Sequence, residues 1–323
     1  MVIGIPKERK SHEGRVGLDP KHVSLLKCLG REIFVEENAG VLSGFSNKEY
    51  VAAGAKIVSR DEVWTGADYI IKVKEPLLEE YRYLKPGLII MAFFHFAGNP
   101  ELKKISLEAG IIPVPYESIY IKDGSRPILR AMSLVAGEIA VDVGAYYLRK
   151  INLAKGVLLR DAVVTIIGAL GVAGFRVYEI LRGYGVKKIY ALDLFCNPDK
   201  IRPEDIYLST PENIAYAIQR SDLVIGAAAV NPAKNLPKII TRDMIRSMEK
   251  FSVFVDIAID EGGTSETSFV TSHDKPIYLK DGIIHYCVPN MPGIVPRSSA
   301  PALIEAAFPF IEDSIRTTKV VII

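Results

Sequence analysis

Five polar residues stand where a chemical site could form in a chain of alternating strands and helices. Lys74, His95, Asp260 and Asn290 each end or directly follow a predicted strand, and Arg15 lies in the loop after the first strand. In an open α/β sheet, ligands bind in the crevice beyond the carboxyl ends of the strands. A guanidinium and an ammonium group can hold a carboxylate, while an imidazole and a carboxylate can transfer protons near neutral pH. Together these residues predict a site for a small amino or keto acid.

Several of these residues also have a purely structural interpretation. Arg15 could pair with Glu13 on the surface, and Lys74 could be a solvated strand end. His95 stands among three phenylalanines and could be a buried core histidine. The functional interpretation therefore depends on the residues occurring together. No His, Cys or Asp cluster has the spacing of metal ligands, so we predict no metal site.

A glycine-rich loop follows one predicted strand and opens a predicted helix. The strand Val163 to Ile167 leads into GALGVAG, which contains Gly168, Gly171 and Gly174, and the helix Phe175 to Leu181 follows. Glycines let the backbone turn sharply and approach a pyrophosphate, which the free N–H groups of a helix N-terminus bind. The spacing is GxxGxxG and not GxGxxG, so a glycine-lined turn without a ligand remains the alternative.

The strand after this helix ends at Asp193, nineteen residues beyond Gly174. An acidic residue at that point can accept hydrogen bonds from a ribose 2′-hydroxyl and disfavours a 2′-phosphate. The sequence therefore predicts NAD, and not NADP, as the cofactor.

The composition excludes several other classes of protein. Lys and Arg total 40 against 38 Asp and Glu, a net charge of +2, which lacks the basic excess that nucleic-acid binding needs. Cys28, Cys196 and Cys287 are too far apart for a disulfide framework or a metal-binding CxxC pair. No apolar stretch reaches the roughly 20 residues of a membrane span, and the first residues lack a signal-peptide core. We expect a cytoplasmic protein with no nucleic-acid or membrane partner.

The order of the elements predicts an α/β fold with about two domains in 323 residues. The first series of predicted strands comprises Val2 to Ile5, Ile33 to Glu36, Lys56 to Ser59, Tyr69 to Val73, Leu88 to Phe93 and Ile111 to Val114. Asp19 predicts the N-cap of a helix over Lys21 to Leu29, and Ser46 with Glu49 predicts a capping box before Tyr50 to Ala53.

A helical stretch at about Ser133 to Lys150 leads into a second series of strands, and we place a domain joint there. These strands are Val163 to Ile167, Lys188 to Asp193, Leu223 to Ala227, Ser252 to Ile257 and Ile283 to Val288. Their near-continuous apolar character is typical of a parallel, doubly wound sheet buried on both faces. A last helix, Ala302 to Arg316, is too short to form a third domain and is expected to return to the first.

Long motifs occur in a fixed order along nearly the whole chain, from Ile3 to about Ile311. They read IGIPKERKSHEGRVGLDP, IIKVKEP, FFHFAG, MSLVAGEIAVDVGAYYL, SDLVIGAAAV, FVDIAIDEGG and HYCVPNMPGIVPRSS. On these motifs the chain resembles the alanine dehydrogenase and transhydrogenase-alpha family. The resemblance implies two Rossmann-like doubly wound domains, with an NAD-binding domain (128–295) inserted into a discontinuous substrate domain (1–127 plus 296–323).

The resemblance also implies an activity and assigns roles to residues. The activity is reversible NAD-dependent oxidation of L-alanine to pyruvate and ammonium, by a homo-oligomer that is a hexamer or a dimer. Arg15, Lys74 and Asn290 would bind the substrate, and His95 and Asp260 would transfer protons, with either of the two activating the water. The implied NAD site comprises Ser133, Gly168, Gly171, Gly174, Asp193, Val288 and Asn290.

The chain departs from the family pattern in three places. Its loop has the longer GxxGxxG spacing, and DEGG replaces DQGG, which puts Glu261 beside the nicotinamide or the substrate. The chain also ends roughly forty residues early for this family, so we expect an effect on assembly and domain closure. Three alternatives stay open: an opine-type reductive aminase, a transhydrogenase-alpha-like hydride carrier, and a non-catalytic NAD(H)-binding sensor or scaffold.

Overall fold

The computed structural model describes residues 1–96, 98–150, 155–228 and 237–317. The chain divides into two compact units. The discontinuous unit comprises Met1–Met132 and Pro292–Ile323, and the inserted unit comprises Ser133–Met291. These limits lie within five residues of the predicted domain boundaries.

Six parallel strands form the sheet of the discontinuous unit, in the order β3-β2-β1-β4-β5-β6. They are β1 (Val2–Ile5), β2 (Glu32–Glu36), β3 (Lys56–Val58), β4 (Tyr69–Lys74), β5 (Ile89–Phe93) and β6 (Ile112–Pro115). Its helices include α1 (Pro20–Cys28), α2 (Asn47–Ala52), α3 (Arg60–Gly66), α4 (Pro100–Glu108) and α9 (Pro296–Thr317).

Side-chain caps fix where the first helices begin. The Asp19 carboxylate accepts from the backbone N–H of His22, with Pro20 at the first helical position of α1. Ser46 and Glu49 form a capping box at the start of α2. Both predicted caps are confirmed, although α2 begins at Asn47 and not at Tyr50.

The inserted unit has a seven-stranded sheet in the order β12-β13-β11-β10-β7-β8-β9. Its strands are β7 (Val163–Ile167), β8 (Lys188–Asp193), β9 (Ile206–Leu208), β10 (Leu223–Gly226), β11 (Val253–Asp256), β12 (Ile277–Lys280) and β13 (Ile283–Tyr286). Only the β12–β13 pairing in this sheet is antiparallel. The helices include α5 (Pro127–Leu148), within which the division between the units falls, α6 (Val172–Tyr184), α7 (Pro211–Gln219) and α8 (Arg242–Arg246).

The predicted α/β class with two doubly wound sheets is confirmed. Each predicted strand is present within two residues of its predicted ends, whereas β9 and β12, two short strands at sheet edges, were not predicted. The predicted start of the last helix at Ala302 is wrong, because α9 begins at Pro296. A proline at the first helical position lacks only an N–H that would have no helical partner, so Pro296 opens the helix. Pro301 lies inside the helix and does not end it.

Helices long and apolar enough to span a membrane are absent from the described ranges.

A buried histidine occupies the core of the inserted unit. His285, on β13, is fully buried, and its ring stacks on Tyr278 at 4.9 Å and meets Phe254 edge-on at 5.3 Å. Its Nδ1 lies 3.0 Å from the carbonyl oxygen of Ile283, so Nδ1 donates, and Nε2 accepts from the Thr267 hydroxyl at 2.8 Å. Burial lowers the pKa of His285 to about 4.

We expect this histidine to make the protein less stable in acid. In the unfolded chain His285 binds a proton below its ordinary pKa of 6.5, whereas in the folded protein it does so only below about pH 4. The free energy of unfolding should therefore fall by about 3 kcal/mol from this group as pH decreases from 6.5 to 4. Urea unfolding at a series of pH values should show a shallower pH dependence in His285→Gln. Phe254→Leu is the matched control, because it loosens the same packing without removing a titrating group and should keep the wild-type slope. An unchanged slope in His285→Gln would contradict the assignment.

Candidate active site

The six parallel strands of each sheet follow the same order, and β12 is an additional antiparallel strand at the edge of the second sheet. That shared order defines where a ligand can bind in each sheet. The strand connections change direction between β1 and β4 in the discontinuous unit, and between β7 and β10 in the inserted unit. In doubly wound folds, ligands bind beyond the carboxyl ends of the strands at such a point. The predicted site residues, other than Ser133 on α5 and Gly174 on α6, end a strand or lie in the segment that follows one.

Lys74 and His95 lie side by side at the carboxyl ends of β4 and β5. The Lys74 Nζ is 3.5 Å from the His95 Nε2 and 5.8 Å from the centre of the Phe93 ring, on which the imidazole stacks. Lys74 is only 7% exposed, so it is not a solvated strand end. His95 is exposed, so it is not a core histidine. The structure therefore places a cation beside a group that can transfer protons.

An unpredicted carboxylate holds the backbone of His95. Glu117 follows β6, and its two oxygens accept from the backbone N–H groups of His95 at 2.6 Å and Phe94 at 3.2 Å. His95 has a φ of 50°, in the left-handed region that few residues other than glycine adopt. We attribute this conformation to the two hydrogen bonds that the backbone of Phe94 and His95 donates to Glu117. The one local feature that could have pointed to Glu117 is an acidic residue shortly after a predicted strand.

Arg15 is paired with Glu13, but the pair is buried and does not lie on the surface. Both side chains are almost fully inaccessible, and the Arg15 Nε and Nη2 donate to the two Glu13 oxygens at 2.7 and 2.5 Å. The Glu13 carboxylate also accepts from the backbone N–H of Arg15 at 3.0 Å, and the Arg15 Nη1 lies 3.0 Å from the Met132 Sδ. The guanidinium is therefore held rigidly in a fixed orientation.

A second buried ion cluster lies behind Lys74. The Lys72 Nζ is 3.0 Å from Glu80 and 3.5 Å from Glu8, and all three side chains are at most 2% exposed. One Glu8 oxygen accepts from the backbone N–H of Val73 at 2.6 Å and of Lys74 at 3.4 Å. Burial raises the pKa of Glu8 to about 7, although the positive charge of Lys72 opposes this shift. The sequence feature that could have predicted this cluster is Lys72, a charged residue within an otherwise apolar strand.

In the inserted unit, the Asp193 carboxylate is hydrogen-bonded to the glycine loop. Asp193 ends β8, next to β7, and its oxygens accept from the backbone N–H groups of Leu170 and Leu194, each at 2.8 Å. Gly171 is the N-cap of α6 and carries no side chain that could cap the helix. The structure therefore places the predicted acid against the predicted loop.

Asp260 and Asn290 meet at the ends of the neighbouring strands β11 and β13. Asp260 lies exposed in the 3-10 turn Ile257–Glu261, and its Oδ2 accepts from the Asn290 backbone N–H at 3.0 Å. Asn290 also has a left-handed backbone, with φ 54°. Val288, between β13 and Asn290, is buried.

A buried carboxylate at the end of β11 organises this turn. Asp256 accepts from the backbone N–H groups of Ala258 and Thr264, and from the hydroxyls of Thr264 and Ser268. Burial raises the pKa of Asp256 despite these hydrogen bonds. Asp256 was not among the predicted site residues, although it directly precedes the turn that carries Asp260.

The remaining predicted residues occupy less specialised positions. Ser133 is half-buried on α5, and Glu261 is exposed next to Asp260. Within the described residues, no group of three or more His, Cys, Asp and Glu side chains could hold a metal ion.

Comparison with known proteins gives matches along nearly the whole chain. The family model described as the alanine dehydrogenase/PNT N-terminal domain matches residues 4–136, and that of the C-terminal domain matches residues 140–322. An alanine dehydrogenase of Staphylococcus epidermidis is 42% identical over 325 residues, which cover 96% of this chain and 86% of that protein.

Solved structures give the same result. An L-alanine dehydrogenase matches with a TM-score of 0.91 and 34% identity, over 98% of this chain and 90% of the other. A transhydrogenase from Sinorhizobium meliloti matches with a TM-score of 0.85 and 25% identity, over 98% of this chain and 94% of the other. With both family models matched and this level of identity, the chain belongs to the alanine dehydrogenase/PNT family.

Proposed function

We propose that this protein catalyses the reversible, NAD-dependent oxidative deamination of L-alanine to pyruvate and ammonium, as a homo-oligomer in the cytoplasm. The observation that carries the proposal is the Lys74–His95 pair, in which a buried cation lies 3.5 Å from an imidazole at a strand end. This pair can bind an acid and exchange a proton with it. The 42% identity to an alanine dehydrogenase supports alanine as the substrate.

The glycine loop fits the phosphates of a dinucleotide. A Cβ on Gly174 would lie 2.1 Å from the carbonyl oxygen of Gly168, and Gly168 itself has a φ of 83°. These two glycines are therefore required by the fold of the loop. Gly171 differs, because a Cβ there would meet nothing closer than the Gly168 oxygen at 3.3 Å. Its missing side chain leaves the N-terminal N–H groups of the 13-residue helix α6 accessible to a phosphate.

Asp193 supports NAD as the dinucleotide. Each of its oxygens accepts one backbone N–H, and a carboxylate has about four acceptor positions, so a ribose hydroxyl can still bind. A 2′-phosphate would bring negative charge against this acid. We therefore propose that NAD binds in preference to NADP.

The proposed roles of the other residues follow from their charge and placement. The Lys74 ammonium and the Arg15 guanidinium bind the substrate carboxylate, and Asn290 contributes to binding. When bound, NAD⁺ supplies the acceptor for the hydride that leaves the alanine Cα. The alanine ammonium group first loses one proton to solvent, so that departure of the hydride leaves an iminium ion. Either His95 or Asp260 then removes a proton from the water that adds to the iminium carbon and returns it to the nitrogen, which takes the hydroxyl proton as well and leaves as ammonium while pyruvate forms. Ser133 and Val288 belong to the proposed NAD site.

The first test is a direct assay of turnover. Purified protein should reduce NAD⁺ with L-alanine at alkaline pH and oxidise NADH with pyruvate and ammonium, as followed by NADH absorbance. NADP⁺ should support a much lower rate. Turnover only when a second amino acid replaces ammonium would identify an opine-type enzyme. NADH binding without any turnover would contradict the proposal and favour a sensor, scaffold or partner subunit.

The loop can be tested by two substitutions of the same type. Gly171→Ala should lower thermal stability less than Gly174→Ala does, because its Cβ would lie 3.3 Å from the nearest atom, the Gly168 oxygen. It should raise the Kd for NADH about tenfold or more, because the methyl group intrudes on the proposed phosphate position. Gly174→Ala should lower thermal stability, because its methyl group collides with the Gly168 backbone. Both Kd values can be measured from the fluorescence of bound NADH. An unchanged Kd in Gly171→Ala would show that no phosphate lies at the helix terminus.

The proposed role of Lys74 predicts a specific kinetic effect. Lys74→Met retains an unbranched side chain and removes the ammonium, so the KM for pyruvate should rise about tenfold or more while the Kd for NADH stays constant. Lys10→Met is the control, because Lys10 belongs to the same unit and pairs with Glu75. An unchanged KM for both pyruvate and alanine in Lys74→Met would remove Lys74 from the substrate site.

A further inference from the structure

The end of β4 continues beyond its pairing with β1. The paired residues are Ile3 with Tyr69 and Gly4 with Ile70, so β4 runs four residues past its last partner on β1. On its other side, the pairing of β4 with β5 changes register between Ile71 and Lys74. Lys74 itself pairs with Phe93 on β5 across this irregularity, while on the β1 side the last four residues of β4 have no strand partner.

The Glu8 side chain occupies the place of the absent β1 partner. The chain leaves β1 after Ile5, and the Glu8 Oε1 accepts from Val73 at 2.6 Å and Lys74 at 3.4 Å. A buried N–H without an acceptor is costly, so these bonds hold the β4 end in position. The other Glu8 oxygen lies 3.5 Å from the Lys72 Nζ, which compensates the buried charge.

We infer that Glu8 is the positioning residue of Lys74: by holding the backbone at the end of β4, it places the ammonium group beside His95. This inference depends on the proposed function for its kinetic consequence. Glu8 contacts Lys74 at its backbone N–H and Val73 at the same kind of group. Its effect on substrate binding is therefore transmitted through the backbone of Val73 and Lys74.

Glu80 provides a matched comparison within the same cluster. Its Oε1 lies 3.0 Å from the Lys72 Nζ, so it shares the partner of Glu8. Its Oε2, however, accepts from the backbone N–H of Leu77, three residues beyond Lys74. Substitution of Glu80 thus disturbs the buried charges of the cluster without removing the acceptor at Val73 and Lys74.

The kinetic experiment separates positioning from general stability. Glu8→Ala removes the acceptor and should raise the KM for pyruvate about tenfold, with kcat and the Kd for NADH within a factor of three of wild type. Glu8→Gln retains a carbonyl oxygen as acceptor and should return the KM to within threefold of wild type. Glu80→Gln should leave the KM unchanged. An unchanged KM in Glu8→Ala, in a wild type that turns over alanine, would overturn the inference and leave the proposed function intact.

A second readout does not require turnover. Amide hydrogen exchange, measured by mass spectrometry of the peptide that contains Val73 and Lys74, should be at least tenfold faster in Glu8→Ala. It should stay near the wild-type rate in Glu8→Gln and Glu80→Gln. If Glu8→Ala fails to fold, Glu8→Asp replaces it, because its shorter side chain draws the carboxylate back from Val73 and should accelerate exchange. A wild-type exchange rate in Glu8→Ala, or in Glu8→Asp where that variant replaces it, would overturn the inference even if the proposed function also fails.

Discussion

Backbone N–H groups at the carboxyl ends of parallel strands impose the constraint on which the candidate site depends. Where such a strand extends beyond its neighbour, its backbone N–H groups need other acceptors. A buried N–H without an acceptor lowers the free energy of unfolding by about 1–3 kcal/mol. In this protein carboxylates accept from these groups. Each of four carboxylates accepts backbone N–H groups at one such place: Glu8 at the end of β4, Glu117 at the end of β5, Asp193 in the glycine loop after β7, and Asp256 in the turn after β11. The same end of each sheet is where ligands bind in this fold, so the structural acids and the candidate site residues lie at the same sheet ends.

This arrangement also explains how cations can be buried near a site for an acid. Arg15 is compensated by Glu13, and Lys72 by Glu8 and Glu80, each within the discontinuous unit. A buried charge that loses its partner is strongly destabilising, so these pairs are needed before any substrate arrives. The compensated side chains are already ordered in the unbound protein. Binding of a carboxylate to Arg15, as proposed, would therefore cost little side-chain entropy.

The sequence predicted those parts of the molecule that depend on local patterns. Apolar runs located the central strands, the caps at Asp19 and Ser46 located two helices, and the strand-end rule brought Lys74 and His95 together because β4 and β5 are neighbours. Pairings between distant positions were not predictable, because they depend on register. Glu8 meets Val73 across 65 residues of sequence, and Glu117 meets His95 across 22. The start of α9 was missed for a different reason, since Pro301 inside a helix resembles a stop signal.

The glycine loop shows why counting glycines is a weak guide to cofactor binding. The GxxGxxG spacing departs from the standard fingerprint, yet the strand, turn and helix are retained, with α6 starting directly after Gly171. Gly168 is required by its positive φ, and Gly174 by its contact with the Gly168 backbone, so both would be needed without any ligand. Two residues separate the first two glycines, where the standard fingerprint has one. The second of them, Leu170, donates its backbone N–H to Asp193. Asp193 thus fixes the loop whether or not a ribose binds to it. Of the three loop glycines, Gly171 has the most room for a Cβ, which would lie 3.3 Å from the Gly168 oxygen.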